Sequence, residues 1–415
     1  MKKTIRISLF LIVVSLNVTA TAGADEVTEW NQIMLDTLIA GNVGGIVATR
    51  HAAIVQSAVF DAVNGIDPRY TPIHVAPAAP RGASPRAAAV QAAYVTLLKL
   101  FPAQKESLDA RRTASLAVIS PRDEETTRSL ENGVAWGQTV ADAIWAWRST
   151  DGFTATPPPN VGGNAVGQWR PTLPAFAPFA GVQFASMPPW VIRSPSQFSI
   201  PAPPDLGSTR YATDFNEVRV VGSASSESRT PDQTLVARFW NNSPNYVWSP
   251  VAVSLGAQRR SSLSENARLL AMMNVAMADA GIAVWHAKLS HNFWRPITAI
   301  QLAETDGNPA TAADPNWTPL IPTPPYPDYP SGIVGVGSAA VTVLANVFGA
   351  ETSFSMASNS TPGVTRSYAS LASALDEAVN ARVLSGVHFR FADIDARQLG
   401  RTVANYIIAN SFKAR

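Results

Sequence analysis

The spacing of apolar residues predicts a mostly α-helical protein. Apolar side chains recur at intervals of three and four along most of the chain, with many alanines between them, and the period-two alternation typical of strands is scarce. We therefore expect an all-α fold of packed helical layers. The predicted helices cover residues 29–40, 47–64, 85–100, 103–119, 123–148, 231–241, 262–295, 332–348 and 366–410.

Two segments, 153–205 and 305–330, interrupt this helical pattern. We expect the first to be ordered by its aromatic residues, because a flexible linker would be polar. These aromatics are Trp169, Phe176, Phe179 and Trp190. The predicted organisation is a large helical bundle in two halves, 23–152 and 206–415, joined by a proline-rich crossing segment over 153–205, with the candidate site in the C-terminal half.

The first 22 residues have the layout of a secretory signal peptide. A basic start is followed by an apolar run over 9–16 and by Ala20 and Ala22, two small residues at the spacing of a cleavage site. This run is too short to span a bilayer, and the later apolar stretch 267–285 is interrupted by Arg268 and Asp279. We therefore predict a periplasmic or secreted protein without a transmembrane anchor.

Composition narrows the chemistry that the chain can perform. The sequence has no cysteine, which excludes disulfides, thiolate metal ligands and a cysteine nucleophile. Its 32 basic and 30 acidic residues are dispersed, so nucleic-acid binding is poorly supported. Any anion that matters here should be small and held by a few convergent residues. Self-association into a homo-oligomer stays an open alternative.

The stretch WHAKLSHNFWRP, residues 285–296, is the strongest local signal. Lys288, His291 and Arg295 stand at i, i+3 and i+7, which on a continuous helix would place them on one face. Such a face repels itself unless an anion lies between the cations. Pro296 should turn Arg295 out of the helical conformation and place its guanidinium at a helix terminus. The alternative is an ordinary solvated basic face, which three aromatic residues in the same stretch make less attractive.

Two further stretches carry candidate site residues. PPYPDYPSGI, residues 324–333, is a proline-stiffened loop that delivers Ser331 and Gly332 to the start of a helix, where free backbone N–H groups and a hydroxyl favour an anion. The alternative for Ser331 is a simple helix N-cap. ARVLSGVHFRFADIDA, residues 381–396, contains Arg382 and His388, and the alternative for the latter is a core histidine.

Taken together and in this order, the three stretches resemble the signature of the vanadium-dependent haloperoxidases and the related type 2 phosphatidic acid phosphatases. The phrases NFWRPITAI, PPYPDYPSG, GVHFRF and AAIVQSAVFDAVNGID are similar to those of soluble bacterial members. The resemblance implies the helical bundle of that superfamily and a site for vanadate, which phosphate can also occupy. The residues it places round the anion are Lys288, Arg295, Ser331, Gly332, Arg382 and His388.

The resemblance also implies a role for each group. The three cations would neutralise the equatorial oxygens, and the serine hydroxyl and glycine N–H would add neutral donors. His388 would be the axial vanadium ligand or, in a phosphatase, the nucleophile that carries the phosphoryl group. In a peroxidase, Lys288 would polarise the bound peroxide.

The sequence departs from the family at three positions. The residue after Ser-Gly is usually an acid or base histidine, and here it is Ile333, which can neither accept nor donate a proton. Ala392 stands where an aspartate often orients the imidazole, with Asp393 beside it. Ala381 replaces a serine before the second arginine. His291 is the candidate substitute for this proton acceptor, and the alternative is a histidine at the surface or behind the residues that contact the anion.

The leading hypothesis is a secreted vanadate-dependent haloperoxidase-like enzyme that oxidises halide with hydrogen peroxide. Turnover should be slow, because loss of such an acid or base commonly costs a factor of about a hundred to ten thousand in rate. The first alternative is an acid phosphatase that cleaves a phosphate ester with His388 as nucleophile. The second is a non-catalytic oxyanion-binding protein, which Ile333 makes credible.

Overall fold

The structure, a computed structural model, describes residues 25–119 and 126–415 and confirms the all-α fold. The predicted signal peptide, residues 1–22, lies outside the described residues and stays a prediction. The α-helices of the described part are α1 Glu26–Ala40, α2 Gly45–Ile66, α3 Pro85–Leu100, α4 Lys105–Ile119, α5 Thr127–Arg148, α6 Thr209–Val221, α7 Pro231–Phe239, α8 Pro244–Arg259, α9 Leu263–His291, α10 Pro296–Gln301, α11 Gly332–Phe348, α12 Leu371–Leu384 and α13 Arg390–Asn410. A hairpin of β1 Phe354–Ala357 and β2 Thr365–Tyr368 is antiparallel.

Helix α9 is the central element of the bundle. It starts with a capping box, in which the Ser262 side chain accepts from the backbone N–H of Glu265 and the Glu265 side chain accepts from that of Ser262. Its alanine- and methionine-rich middle is buried on all sides against α2, α8, α11 and α13. By length and composition α9 could cross a membrane, but 94% of its most apolar window is buried inside the protein, as in a core helix.

Glycines bring the three helices of the site into close contact. A Cβ on Gly400 of α13 would lie 1.9 Å from the carbonyl oxygen of Gly335 on α11, and a Cβ on Gly335 would lie 2.8 Å from Val284 of α9. Because no side chain fits at these crossings, α11 packs directly on α9 and α13. The start of α11 is therefore held beside the end of α9 and the first turn of α13.

The crossing segment runs over the bundle without an α-helix. Trp169, Phe179 and Trp190 are buried in it, as predicted, whereas Phe176 is 60% exposed. Asp279 of α9 accepts the backbone N–H groups of residues 190, 191 and 192, and thereby fixes this segment to the central helix. The division of the chain at 152/153 and 205/206 stays a prediction, and one buried core cluster contains residues from both halves.

Three details of the predicted helices are wrong. Asn292 adopts a left-handed conformation with φ of 46°, so α9 ends at His291 and does not reach residue 295. Gly386, with φ of 76°, separates α12 from α13, and the hairpin occupies residues at the start of the predicted helix 366–410. Helices α6 and α8 lie in stretches where the apolar pattern is weak, and the sequence did not predict them.

Candidate oxyanion site

Lys288 lies on the last turn of α9 and is completely buried. Its ammonium donates to the backbone carbonyls of Pro327 at 2.6 Å and Asp328 at 3.0 Å. It lies 5.0 Å from the centre of the Tyr326 ring, a cation–π distance. Burial, followed by repulsion from Arg295, holds the pKa of Lys288 well below its usual range. These two hydrogen bonds hold the proline-rich loop against the end of α9.

Arg295 is the N-cap residue of α10, with an extended ψ of 156°, as Pro296 predicts. Its Nε donates to the carbonyl of Tyr326 at 2.8 Å, and its Nη1 donates to that of Val387 at 2.6 Å. Nη1 also lies 3.2 Å from Nε2 of His388. This buried guanidinium therefore ties the proline-rich loop to the loop between α12 and α13, while its Nη2 has no hydrogen-bond partner among the described residues.

Ser331 and Gly332 lie at the N-terminus of α11, where the sequence placed them. Ser331 is the N-cap residue, but its side chain does not cap the helix, and its buried hydroxyl has no hydrogen-bond partner in the described part of the chain. A Cβ on Gly332 would lie 3.2 Å from the Trp285 ring and 4.0 Å from Cε of Lys288. The first N–H groups of α11 and this hydroxyl thus face the end of α9, in a geometry that suits an anion.

The turn after α12 brings Arg382 and His388 to the same site. Gly386 takes a left-handed conformation, and its N–H donates to the carbonyl of Val383 at 2.9 Å. A Cβ there would lie 2.4 Å from the carbonyl oxygen of Gly222, so glycine is required. The chain then reverses, and His388 returns to the side of α12 that carries Arg382.

Arg382 is buried with an incomplete set of partners. Its Nε and Nη1 make no hydrogen bond to any described residue. Asp393, in the first turn of α13, is the largest opposite charge acting on it. The Ser331 hydroxyl lies close enough to Asp393 to lower the pKa of that carboxyl, although the two do not meet at hydrogen-bond geometry. Asp393 therefore faces Arg382 and Ser331.

Charge and burial set the protonation states of this site. Burial, followed by repulsion from Arg295, Lys288 and Arg382, lowers the pKa of His388 well below its usual range, so the imidazole is neutral at neutral pH. Burial raises the pKa of Asp328 to about 7 and that of Asp393 well above its usual range. Two guanidinium groups and Lys288 thus face two carboxyl groups whose ionisation burial opposes, and this arrangement favours an anionic ligand.

The donors without partners decide which ligand fits. Four buried donor atoms, Nη2 of Arg295, Oγ of Ser331, and Nε and Nη1 of Arg382, lack a partner among the described residues. Leaving one such group unpaired costs about 1–3 kcal/mol, so together they indicate a ligand that accepts several hydrogen bonds. A tetrahedral oxyanion has the necessary acceptors and charge. The residues therefore fit vanadate or phosphate, with the neutral His388 as ligand or nucleophile.

The structure brings together six of the seven predicted site residues, and His291 is the exception. His291 is half-buried at the end of α9, and its ring packs edge-on against that of Tyr329 with centroids 5.2 Å apart. Burial alone lowers its pKa, without a contribution from the site cations. The prediction that Lys288, His291 and Arg295 share one helix face is wrong, because α9 ends at His291. The catalytic role of His291 stays a prediction.

Ile333 borders a small apolar pocket next to the cations. The pocket has about 30 Å³ of free space, enough for about two water molecules. Its lining consists of Gly45, Ile46, Thr49, Pro244, Trp285, Tyr326, Gly332, Ile333 and Val336. None of these side chains is a proton acceptor at neutral pH, so this wall has no substitute for the histidine that Ile333 replaces.

Asp328 is the site residue that the sequence did not single out. It is fully buried, and its Oδ1 lies 2.7 Å from Nδ1 of His388 and 3.7 Å from Nη1 of Arg295. A charged residue between two prolines in a stiff loop is an uncommon choice, and that was the available signal. Asp214 of α6 was also not predicted, and it accepts the N–H of Phe391 at 2.7 Å, which fixes the start of α13.

Comparisons with known proteins show similarity to vanadium-dependent peroxidases in sequence and in fold. Residues 268–413 match the second helical-bundle domain of vanadium chloroperoxidase. The vanadium chloroperoxidase of Curvularia inaequalis is 32% identical over 145 residues, and the match covers 29% of this chain and 23% of that protein. The chain thus matches only about a quarter of the length of this curated relative.

Solved structures extend the likeness to nearly the whole chain. A bacterial vanadium-dependent iodoperoxidase superposes with a TM-score of 0.80 at 25% identity, covering 93% of this chain and 96% of that one. A holo-form bacterial vanadium-dependent chloroperoxidase gives a TM-score of 0.70 at 19% identity and covers 87% of this chain and 90% of its own. The second likeness shows the fold alone. The resemblance inferred from the sequence is confirmed.

Proposed function

We propose that this chain, whose residues 268–413 match the second helical-bundle domain of vanadium chloroperoxidase, is a vanadate-dependent haloperoxidase that oxidises halide with hydrogen peroxide. The observation that carries the proposal is the set of buried donors without partners on Arg295, Ser331 and Arg382, beside a neutral His388. The whole protein's halide, its organic substrate and its secretion are part of this proposal. The matched relatives are named as peroxidases, which favours this function over a phosphatase.

The residues that would hold vanadate are Lys288, Arg295, Ser331, Gly332, Arg382 and His388. Bound vanadate would supply the Lewis acid that activates peroxide for attack by halide. The two guanidinium groups supply paired, charge-assisted hydrogen bonds, which suit oxygens arranged in a plane. His388 offers a neutral ring nitrogen, and burial of all these groups excludes water from the anion.

Proton handling limits the rate of the proposed reaction. Oxidation of halide by hydrogen peroxide to hypohalous acid and water consumes one proton, so a site residue or water must deliver it. Ile333 cannot, and the lining of its pocket contains no histidine or carboxylate side chain. Lys288 would polarise a bound ligand. We therefore expect slow turnover, with His291 or water as the proton carrier.

One pair of assays tests this function. Purified protein is incubated with orthovanadate, hydrogen peroxide and iodide, bromide or chloride, and formation of oxidised halide is followed by a trapping dye. A parallel sample without vanadate receives a chromogenic phosphate monoester. Vanadate-dependent halide oxidation that is lost in His388→Ala supports the proposal, whereas hydrolysis of the ester without halide oxidation favours the phosphatase.

Variants at Ile333 and His291 test how protons are handled in the proposed reaction. Ile333→His should raise the peroxidase rate by restoring a proton acceptor, provided that the variant folds and binds vanadate. His291→Ala should lower turnover without changing vanadate affinity if His291 carries the proton. A protein that binds vanadate tightly but shows neither activity is an oxyanion-binding protein, and the enzymatic proposal is then wrong.

A further inference from the structure

Asp328 is buried in the site, and its contacts with neighbouring side chains do not explain why a carboxyl group is there. It is fully buried, and its Oδ1 is 2.7 Å from Nδ1 of His388. Neither of its carboxylate oxygens makes a hydrogen bond of ordinary geometry to a described side chain. A buried carboxylate without such bonds is costly, so its presence against the imidazole calls for a function.

We propose that Asp328 is the positioning residue of His388, and that it fixes the imidazole in the tautomer with the proton on Nδ1. The Nδ1–H then points to Oδ1 of Asp328, an oxygen that accepts a hydrogen bond whether or not Oδ2 carries a proton, and Nε2 becomes the basic nitrogen of the ring. Nη1 of Arg295 lies 3.2 Å from Nε2 and 3.4 Å from Nδ1, so the shorter contact of this donor is with the nitrogen that the proposal leaves unprotonated. The atoms are already at hydrogen-bond distance, so alignment requires only that the ring turns.

The surrounding contacts favour His388 over Arg295 as the partner of Asp328. The shortest distance from Asp328 to the Arg295 guanidinium is 3.7 Å, a full 1 Å longer than its contact with the imidazole. Arg295 also has carbonyl partners on Tyr326 and Val387 that satisfy two of its nitrogens. Arg295 is also the largest opposite charge acting on Asp328, but of these two side chains the imidazole is the one within hydrogen-bond distance of the carboxyl group.

The position of Asp328 also accounts for a departure in the sequence. The residue four positions after His388 is Ala392, which cannot orient an imidazole. Asp393 next to it faces Arg382 and Ser331, so it does not take that role. The carboxylate comes instead from the proline-rich loop, on the opposite side of the site. Three prolines at 325, 327 and 330 hold this loop rigid round Asp328.

The inference rests on the proposed function only for the identity of the ligand that Nε2 would take. A fixed tautomer serves a vanadium ligand and a phosphoryl-accepting nucleophile equally, because both need a lone pair on a defined ring nitrogen. Loss of such an orienting partner typically costs about 10–100-fold in metal affinity. We expect a reduction of this size for vanadate when the Asp328 carboxylate is removed.

The tautomer is measured directly by ¹⁵N NMR on protein labelled at its five histidines, without vanadate. His388 is assigned by the signal that is lost in His388→Gln. The proposal expects protonated Nδ1 and unprotonated Nε2 for His388 in the unmodified protein. Predominant Nε2–H in the unmodified protein would overturn it, and this reading requires no variant that alters the loop.

A matched pair of variants then separates positioning from general damage to the site. Asp328→Asn should abolish the preference for Nδ1–H and weaken vanadate binding about 10–100-fold. Asp393→Asn removes a buried carboxylate of the same site and should leave the His388 tautomer unchanged. Equal tautomer shifts in both variants, or none in Asp328→Asn, would contradict the proposal.

Failure of the proposed function gives a different result. If the unmodified protein does not bind vanadate but its His388 tautomer depends on Asp328, the positioning role stands and vanadate is the wrong ligand. If vanadate binds and the tautomer is independent of Asp328, the site is an oxyanion site in which Asp328 does not orient the histidine.

Discussion

Two buried polar regions of this protein are built on opposite principles. Asp279 on α9 accepts three backbone N–H groups of the crossing segment, at 2.7, 2.9 and 3.0 Å. Asp61 on α2 accepts three N–H groups from residues 73–75 in the same way. In the oxyanion site, by contrast, donors on three side chains and the oxygens of Asp328 and Asp393 have no hydrogen-bond partners among the described residues.

The difference separates a structural role from a binding role. A carboxylate that accepts three N–H groups is fully satisfied, so its contribution is to hold a segment in place. Donors that stay unpaired in the interior reduce stability until a ligand satisfies them. Both regions meet on α9, at Asp279 and Lys288, so one rigid helix supports the crossing segment and positions the site.

Arg295 lies in the oxyanion site but also has satisfied hydrogen bonds of the structural kind, so its removal should have the largest effect. Arg295→Ala deletes hydrogen bonds to the carbonyls of Tyr326 and Val387 and removes a cation from the site. Hydrogen bonds to charged groups are worth about 1.5–3 kcal/mol each, so urea unfolding should show a loss of about 3 kcal/mol or more. Vanadate binding should be abolished as well. A variant with parental stability would show that these two bonds do not hold the loops.

Asp279 should affect stability alone. Asp279→Ala leaves three buried N–H groups without an acceptor, and we expect a loss of about 3 kcal/mol in the free energy of unfolding. The matched control, Asp279→Asn, keeps one acceptor oxygen and should lose less. Both should bind vanadate with parental affinity wherever they are folded. A change in vanadate affinity without a change in stability would show that Asp279 acts in the anion site and not as a structural contact.

Arg382 should behave in the opposite way. Two of its nitrogens have no partner among the described residues, so Arg382→Met removes few bonds in the free protein. The raised pKa of Asp393 lets that carboxyl take up a proton when its cation is lost. We therefore expect unfolding free energies within about 1 kcal/mol of the parent, with roughly 100-fold weaker vanadate binding. Large destabilisation would mean that Arg382 is a structural ion-pair partner.

Ser331 gives a smaller version of the same contrast. Its hydroxyl is buried without a hydrogen-bond partner in the described structure, so Ser331→Ala should alter stability by less than about 0.5 kcal/mol. Loss of one neutral donor to the anion should weaken vanadate binding about 10-fold. Calorimetric titration and thermal melting of the same sample measure both. Unchanged affinity would exclude the hydroxyl from the anion site.

The pH dependence of stability should report on Asp328. Burial raises the pKa of Asp328 from 3.8 to about 7, so between these values the folded protein holds a proton that the unfolded chain has lost. Its stabilising contribution is complete below about pH 4 and is lost as pH rises to about 7, with a slope of at most about 1.4 kcal/mol per pH unit. The difference in the free energy of unfolding between the parent and Asp328→Asn should therefore change with pH over this range. A difference that stays constant would contradict the raised pKa.

The sequence predicted the parts of the fold and site that depend on local pattern. The helical class, the extended Arg295 before Pro296 and the position of Ser331 at the start of α11 follow from apolar spacing and proline chemistry. The break at Gly386 was readable as a left-handed C-terminal glycine after Ser385, but the apolar pattern continues through it. Asn292, which also adopts a left-handed conformation, gave a weaker signal of this kind for the end of α9.

Contacts between distant segments were out of reach of local pattern. Asp328 is 60 positions from His388, and nothing in the spacing of either residue places the two 2.7 Å apart. The capture of the crossing segment by Asp279 likewise joins residues 87–89 positions apart. Such contacts depend on how loops and helices far apart in the chain pack together, which sequence periodicity predicts only as a preference for burial.

Isothermal titration of orthovanadate into the purified, unmodified protein tests most directly whether the unpartnered donors form an oxyanion site. We expect saturable binding of one vanadate per chain, competition by phosphate, and a rise in melting temperature that grows with vanadate concentration. Absence of saturable binding by both oxyanions near neutral pH, in protein that is folded by circular dichroism, would contradict the account.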